Sequence, residues 1–298
     1  MNRALAFLVA VAACDSPAAP MDAVVDAILE CETCVAPSAA GVVIGLPTAE
    51  LSGLAASRRL DGILWTLADA GGTPTIYALD TSAAPRGSLR LAAATNVDWE
   101  DIAVAPCAST SCIYVADTGD NDLIRETIAI YEVVEPPIVP SGASDVAWQR
   151  YDVRYPDGPH DMEALFVDPR DGVSYGITKV TTGLASVYAL PRTSGAISLA
   201  RVVAMLDISD GDDRRITAAD LHVDACGARL LVRTHDRLLE LRGAATISVI
   251  ELLRTTPMVL PVATEPQGES VAVSPSGDSL YTISEGDDPT LWRSSCAR

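Results

Sequence analysis

The chain has 298 residues, 49% of them hydrophobic and 5% aromatic, with 21 basic against 40 acidic side chains and a formal net charge of -19. A chain of this length and apolar content buries a substantial core as one large domain or two small ones, which excludes intrinsic disorder. The acidity argues against a nucleic-acid backbone or an anionic lipid surface as partner and favours a cation or a basic partner, because like charges repel within a Debye length.

In chain order, residues 1–13 read as a signal peptide: Arg3 is followed by an apolar run from Ala4 to Ala13 that ends in small residues. The run is too short to span a bilayer, which takes about 20 apolar residues. Val11-Ala12-Ala13-Cys14 resembles the bacterial lipobox, in which the cysteine is acylated and becomes the first mature residue. The expected location is therefore the bacterial cell envelope, exported and lipid-anchored through Cys14. Residues 14–40, rich in Ala and Pro, read as the lipidated N-terminus and a tether.

Setting Cys14 aside leaves Cys31, Cys34, Cys107, Cys112, Cys226 and Cys296, an even number that in an exported chain indicates disulfides. No histidine stands at short metal-ligand spacing from a cysteine, which weighs against zinc.

From residue 41 to 298 the sequence repeats at intervals of about 50 to 60 residues, in the range of propeller blades. Five copies of an apolar alternation, a turn and two further strands are legible at Ser52–Asp80, Glu100–Val134, Glu163–Pro191, Ala219–Arg242 and Glu269–Ser295. Outer strands are expected at Ser88–Ala94, Ala147–Tyr155, Ala200–Leu206 and Met258–Ala263, and Gly41–Leu46 is expected to complete the fifth blade and close the ring. The expected fold is an all-β propeller of five four-stranded blades, or six if one degenerate repeat lies hidden. With 20 Gly and 19 Pro spread along the chain and no long segment of 3.6-residue period, a helical fold accounts poorly for the sequence.

Consecutive strands run antiparallel, so inner-strand starts and second-strand ends share one mouth of the central channel. That places Glu100, Asp101, His160, Asp161, Glu163, Asp220 and Glu269 together with Asp69, Asp117, Asp120, Lys179, His235 and Glu285. Crowded carboxylates persist when solvated, protonated or neutralised by a cation, and an all-oxygen set suits calcium. The expected metal ligands are Glu100, Glu163, Glu269, Asp117 and Asp120. Asp117-Thr118-Gly119-Asp120-Asn121-Asp122 reads either as half a calcium loop or as a tight turn. Asp69, Asp101, Lys179 and Glu285 are the expected ligand-binding residues. His160 and Asp161 are weak candidates for a general base. There is no G-x-S-x-G elbow, phosphate-binding glycine loop, zinc-protease motif or haem-attachment motif.

The phrases LSGLAASRR, ILWTLADAGG, DWEDIAVAP, YVADTGDN and GPHDMEALFVDP resemble a family of bacterial β-propeller proteins related in style to the phytase-like and regucalcin-like propellers, over about residues 50 to 295. The regucalcin-like resemblance implies an axial metal held partly by a Glu at an inner-strand start, a position occupied here by Glu100, Glu163 and Glu269, with Ser52 and Ala219 in the other two blades. The family's Asn and Asp ligands have no counterpart, so the resemblance carries no further. The expected function is binding of a small-molecule ligand or protein partner at a calcium-loaded mouth. The rival is a metal-dependent hydrolase, phosphoesterase or lactonase, with the three Glu on the metal and His160 or Asp161 as base. Blade geometry further predicts Cys107 paired with Cys112, Cys226 with Cys296 and, by elimination, Cys31 with Cys34.

Overall fold

The computed structural model describes residues 33–297 apart from 70, 109 and 208–214. The signal peptide, Cys14 and Cys31 lie outside the described residues.

The described chain is a ring of five sheets, antiparallel except for a short parallel strand added to the outer edge of each of the first two. The first four blades follow the sequence simply, each inner strand leading outward by three hairpins. They run β3 Leu51–Ala56 to β6 Pro85–Arg90, β7 Trp99–Cys107 to β11 Gln149–Arg154, β12 Met162–Val167 to β16 Arg201–Leu206, and β17 Ile216–Asp224 to β20 Met258–Leu260. The fifth combines β21 Ala272–Val273, β22 Ser279–Thr282 and β23 Thr290–Ala297 with β2 Ser38–Val42 from the other end of the chain.

Inner and middle strands are buried over most of their length, and over all of it in Leu51–Ala56 and Gly227–Thr234, because both faces of each sheet abut a neighbouring blade. Successive side chains thus serve different interfaces: Leu64 faces the fifth blade, Trp65 the second. Five clusters of buried apolar residues result, one in each gap between blades. The gap between the fourth and fifth blades has the smallest cluster and is charged at both ends. Arg233 pairs there with Glu265 at 2.7 Å, and Arg229 with Glu240 at 2.5 Å.

Ring closure begins earlier than the sequence indicates. Ser38–Val42, not Gly41–Leu46, pairs with β23, and β1 Thr33–Cys34 adds to the same strand. Residues assigned to the tether are therefore part of the ring. This register sets Cys34 directly opposite Cys296, and those two are joined. The expected pairs Cys226 with Cys296 and Cys31 with Cys34 are thus corrected: cross-strand adjacency fixes the partner, and counting strand reversals gave only the face. Cys107 joins Cys112 across the first hairpin of the second blade. Two disulfides fit an oxidising, exported environment, and no described helix is long and apolar enough to cross a membrane.

Each of the first four inner strands carries a register shift where it meets the channel mouth, at Ser52/Leu54, Trp99/Ile102, Met162/Ala164 and Ile216/Ala218. Such a bulge re-aims one side chain per blade. In the first blade the extra residue is Gly53, whose φ is 61° and where a Cβ would come within 2.9 Å of the Asp101 and Ile102 backbone, so there is no room for a side chain. In the fourth blade the shift places Thr217, not Ala219, in the position of Glu100 and Glu163. Register, which the repeat phrase did not resolve there, decides the equivalence.

Candidate metal centre

The mouth is built by the bulges. Glu100 and Glu163 project from them and are almost fully buried. At the same position Ser52 and Thr217 bond to the next blade, Ser52 Oγ donating to the Glu100 carbonyl at 2.5 Å and Thr217 Oγ1 to that of Gly268 at 2.8 Å.

Two overlapping carboxylate groups share Glu100: Asp69, Asp98 and Glu100, and Glu100, Asp161 and Glu163. Each offers three oxygens within 4.8 Å of one another. Burial pushes Glu100 well above the ordinary carboxylate range, and the charges of Glu163, Asp69 and Asp98 push it further. With oxygens of Glu100 and Glu163 within 4.8 Å of each other, their negative charges repel, which favours a proton or a cation between them. Glu163 is raised by burial to about 8, even with Lys179 Nζ at 2.8 Å from its Oε1. Asp98 is raised by burial and hydrogen-bonded to Asp69. Lys179 is itself raised: burial opposes its charge, but Glu163, Glu100 and Glu269 outweigh that.

The surroundings fit a hard cation. All five of these residues offer carboxylate oxygens, the ligands that Ca2+ prefers. A side chain on Gly119 would strike Glu100 Oε1 and Asp98 Oδ2, so the backbone there leaves the carboxylates their space. Asp117 Oδ2, fully buried beside this cluster, has no hydrogen-bond partner.

Other expected site residues are engaged elsewhere. Asp117 Oδ1 accepts from the Asp98 N–H at 3.1 Å and from Arg125 Nη2 at 2.8 Å. The Asp120 carboxylate accepts the backbone N–H groups of Ile124 and Arg125. The Asp117–Asp122 stretch is therefore a turn held by Arg125 and by neighbouring backbone N–H groups, with Asp117 Oδ2 the one oxygen of the two carboxylates left without a hydrogen-bond partner, and neither carboxylate belongs to the cation groups. Asp101 lies in the ring wall, fully buried, and accepts N–H groups from Ile102, Leu165 and Ala219, linking the second, third and fourth blades. Burial holds it well above its ordinary range despite those donors. Asp220 does the same for Val273 of the fifth blade. Glu269 stands outside the cation groups, with Oε1 3.1 Å from His235 Nε2. Near it, Glu285 is raised by burial and by Glu269 and Glu50. His160 Nε2 meets Tyr188 Oη at 2.8 Å and Asp157 Oδ1 at 3.1 Å, while Asp161 joins the carboxylate cluster.

Sequence reasoning missed Asp98, although its i, i+2 spacing to Glu100 puts both on the same side of a strand entrance. It also missed Arg233 and Glu265, whose pairing arises only from the packing of the fourth blade on the fifth.

No protein family and no curated protein matches the chain in sequence. Among solved structures it is similar to a gluconolactonase from Xanthomonas campestris, with a TM-score of 0.47 and 14% identity over 83% of this chain and 72% of the other. It is also similar to a glucose dehydrogenase, with a TM-score of 0.47 and 11% identity over 87% of this chain and 99% of the other. A nidogen/laminin complex gives a TM-score of 0.45 and 14% identity over 81% and 74%. At these scores and identities the overlaps bear on no residue and no reaction of this chain.

Proposed function

We propose that the protein is an exported, lipid-anchored β-propeller of the bacterial cell envelope that binds calcium at its acidic mouth and engages a ligand or protein partner there. The observation that carries this reading is the pair of carboxylate groups sharing Glu100. Five acidic side chains converge on one opening with Lys179 as the cation paired among them, and burial makes each unneutralised charge costly. Calcium bound only to the folded mouth stabilises by mass action. The thermal midpoint should therefore rise on adding millimolar calcium and rise much less in Glu100→Gln; an unchanged wild-type midpoint disproves the site. The hydrolase reading has less support, because His160 is already held by Tyr188 and Asp157. Turnover of generic phosphoester or lactone substrates that depends on calcium would restore it.

The anchor rests on the placement of Cys14 after the apolar leader. Cys14→Ser should move the protein from the membrane to the soluble fraction; a wild-type protein already soluble rules the anchor out.

A further inference from the structure

The carboxylates of the mouth come from three of the five blades and fall along two seams. Asp69 follows the second strand of the first blade, Asp98 and Glu100 stand at the entrance of the second blade's inner strand, and Asp161 and Glu163 at that of the third. Each seam is fixed by hydrogen bonds of its own. In the first, Asn96 Nδ2 donates to the carbonyls of Ala68 and Asp69 at 3.1 and 2.8 Å, while its Oδ1 accepts the Trp99 N–H, which holds Asp69 against the strand entrance that carries Asp98 and Glu100. In the second, Thr118 Oγ1 donates to the Met162 carbonyl at 2.6 Å, the Asp120 N–H to Asp161 Oδ1 at 2.8 Å, and the Lys179 N–H to the Asp161 carbonyl at 2.9 Å. Glu100 stands between the seams and belongs to both carboxylate groups. It is 3% exposed, and among the described residues no N–H or hydroxyl group donates to its carboxylate.

Calcium binds oxygens at about 2.3 to 2.6 Å, so one ion reaches oxygens up to about 5 Å apart. The three oxygens of each group lie within 4.8 Å of one another, which admits one ion per group. A carboxylate has two oxygens and can serve two ions at once. We propose, resting on the calcium reading above, that the mouth holds two calcium ions, one in each seam, bridged by Glu100. The charges call for the second ion. When ionised, the five carboxylates and the Lys179 ammonium carry four net negative charges, so one calcium leaves two of them beside the buried Glu100 and Glu163, and two calcium ions leave none. An independent pointer to the ion of the first seam lies outside both groups. Asp117 is fully buried, close enough to Asp98 for their charges to repel, and its bonds from the Asp98 N–H and Arg125 Nη2 both fall on Oδ1. Its Oδ2 is therefore an acceptor without a donor. Calcium keeps water at coordination positions that the protein leaves open, and a water on the first ion would supply that donor. The second seam already contains Lys179, bonded to Glu163 at 2.8 Å, so the first seam fills first.

The test is equilibrium dialysis of the purified, chelator-treated protein against calcium chloride alone, at physiological ionic strength, where diffuse attraction to the net charge of -19 is screened. Two ions per chain are expected, the second bound about tenfold or more weakly than the first, because two divalent charges share one carboxylate. Asp69→Asn should remove the tighter step and Asp161→Asn the weaker, each leaving one ion per chain. Glu100→Gln should weaken both steps about tenfold or more. These substitutions keep the size of each side chain and relieve a crowded charge, and an unchanged circular-dichroism spectrum in calcium-free buffer verifies that the variants are folded. One ion per chain in the wild type, weakened by Asp69→Asn and Asp161→Asn alike, overturns the second ion and leaves the calcium reading standing. Two ions that all three variants leave unchanged lie elsewhere and overturn it as well. No bound calcium at all removes the calcium reading and this inference together.

Discussion

Glu135, on the face of the ring opposite the mouth, and Glu100, inside the mouth, are both buried carboxylates, with opposite surroundings. Glu135 is fully buried between the first and second blades. It accepts hydrogen bonds from Ser57, Ser111 and, at 2.8 Å, the Trp65 indole. Three donors on two blades satisfy it, and it clamps them together. Glu100 is surrounded by Asp69, Asp98, Asp161 and Glu163. Burial is common to both; what differs is whether the neighbours donate hydrogen bonds or compete for them. The opposite face uses its charges to hold blades together, as Arg170 does when it pairs with Asp168 and donates to the Ala245 and Ile247 carbonyls. The mouth accumulates charge that an outside cation would relieve.

The contrast can be tested. The largest effect is expected where the opposite face is joined covalently. Replacing Cys34 and Cys296 together by Ser releases a loop with a sequence separation of 262, and chain-entropy reasoning puts the loss at about 5 kcal/mol. Urea unfolding with and without the bridge measures it, and the calcium response of the folded protein should be unaffected. Next, Glu135→Ala strands three donors in an apolar seam and should cost about 4 kcal/mol, again with no change in calcium response. A loss of calcium response in that variant would erase the distinction between the two faces.

The third effect carries the sign of the mouth. Glu163 is raised from 4.5 when unfolded to about 8 when folded. Between those values the folded protein keeps a proton that the unfolded chain releases. Stability in calcium-free buffer is therefore fully present below about 4.5 and falls as pH rises toward 8, by on the order of 3 kcal/mol. Glu163→Gln should flatten the slope, and calcium should restore what high pH removes. Urea midpoints from pH 5 to 9 decide this, and a slope of opposite sign would mean that the carboxylates are already neutralised.

The ring was legible in the sequence because its strands are buried on both faces and separated by turns of Gly and Asp. Five inner strands could be placed from such phrases, and their outer strands fell within a few residues. Register was not legible. The fourth inner strand starts at Ile216, with Thr217 at the bulge, but its Ala-Ala-Asp phrase matched the repeat two residues too late. The same limit hid the Cys34–Cys296 pair. It also left Asp101 at the mouth, when its carboxylate is enclosed by backbone N–H groups of neighbouring blades. An acidic residue at a strand entrance is equally suited to holding a cation or stitching the wall. Only the positions of the nearby N–H groups distinguish the two.

The fifth blade sets an order of events in time. Cys107 and Cys112, five residues apart, meet as soon as one hairpin forms, within microseconds once both are available. Cys34 has no partner until residue 296 arrives, so four blades must wait with an open seam between the first and the fourth. During that interval Leu51, Leu54 and Leu64 of the first blade face water on the side later covered by the fifth. The unfinished ring is the stage at which two chains can exchange their closing strands, and a chaperone that holds the segment around Ser38–Val42 until synthesis and export are complete would act at that step.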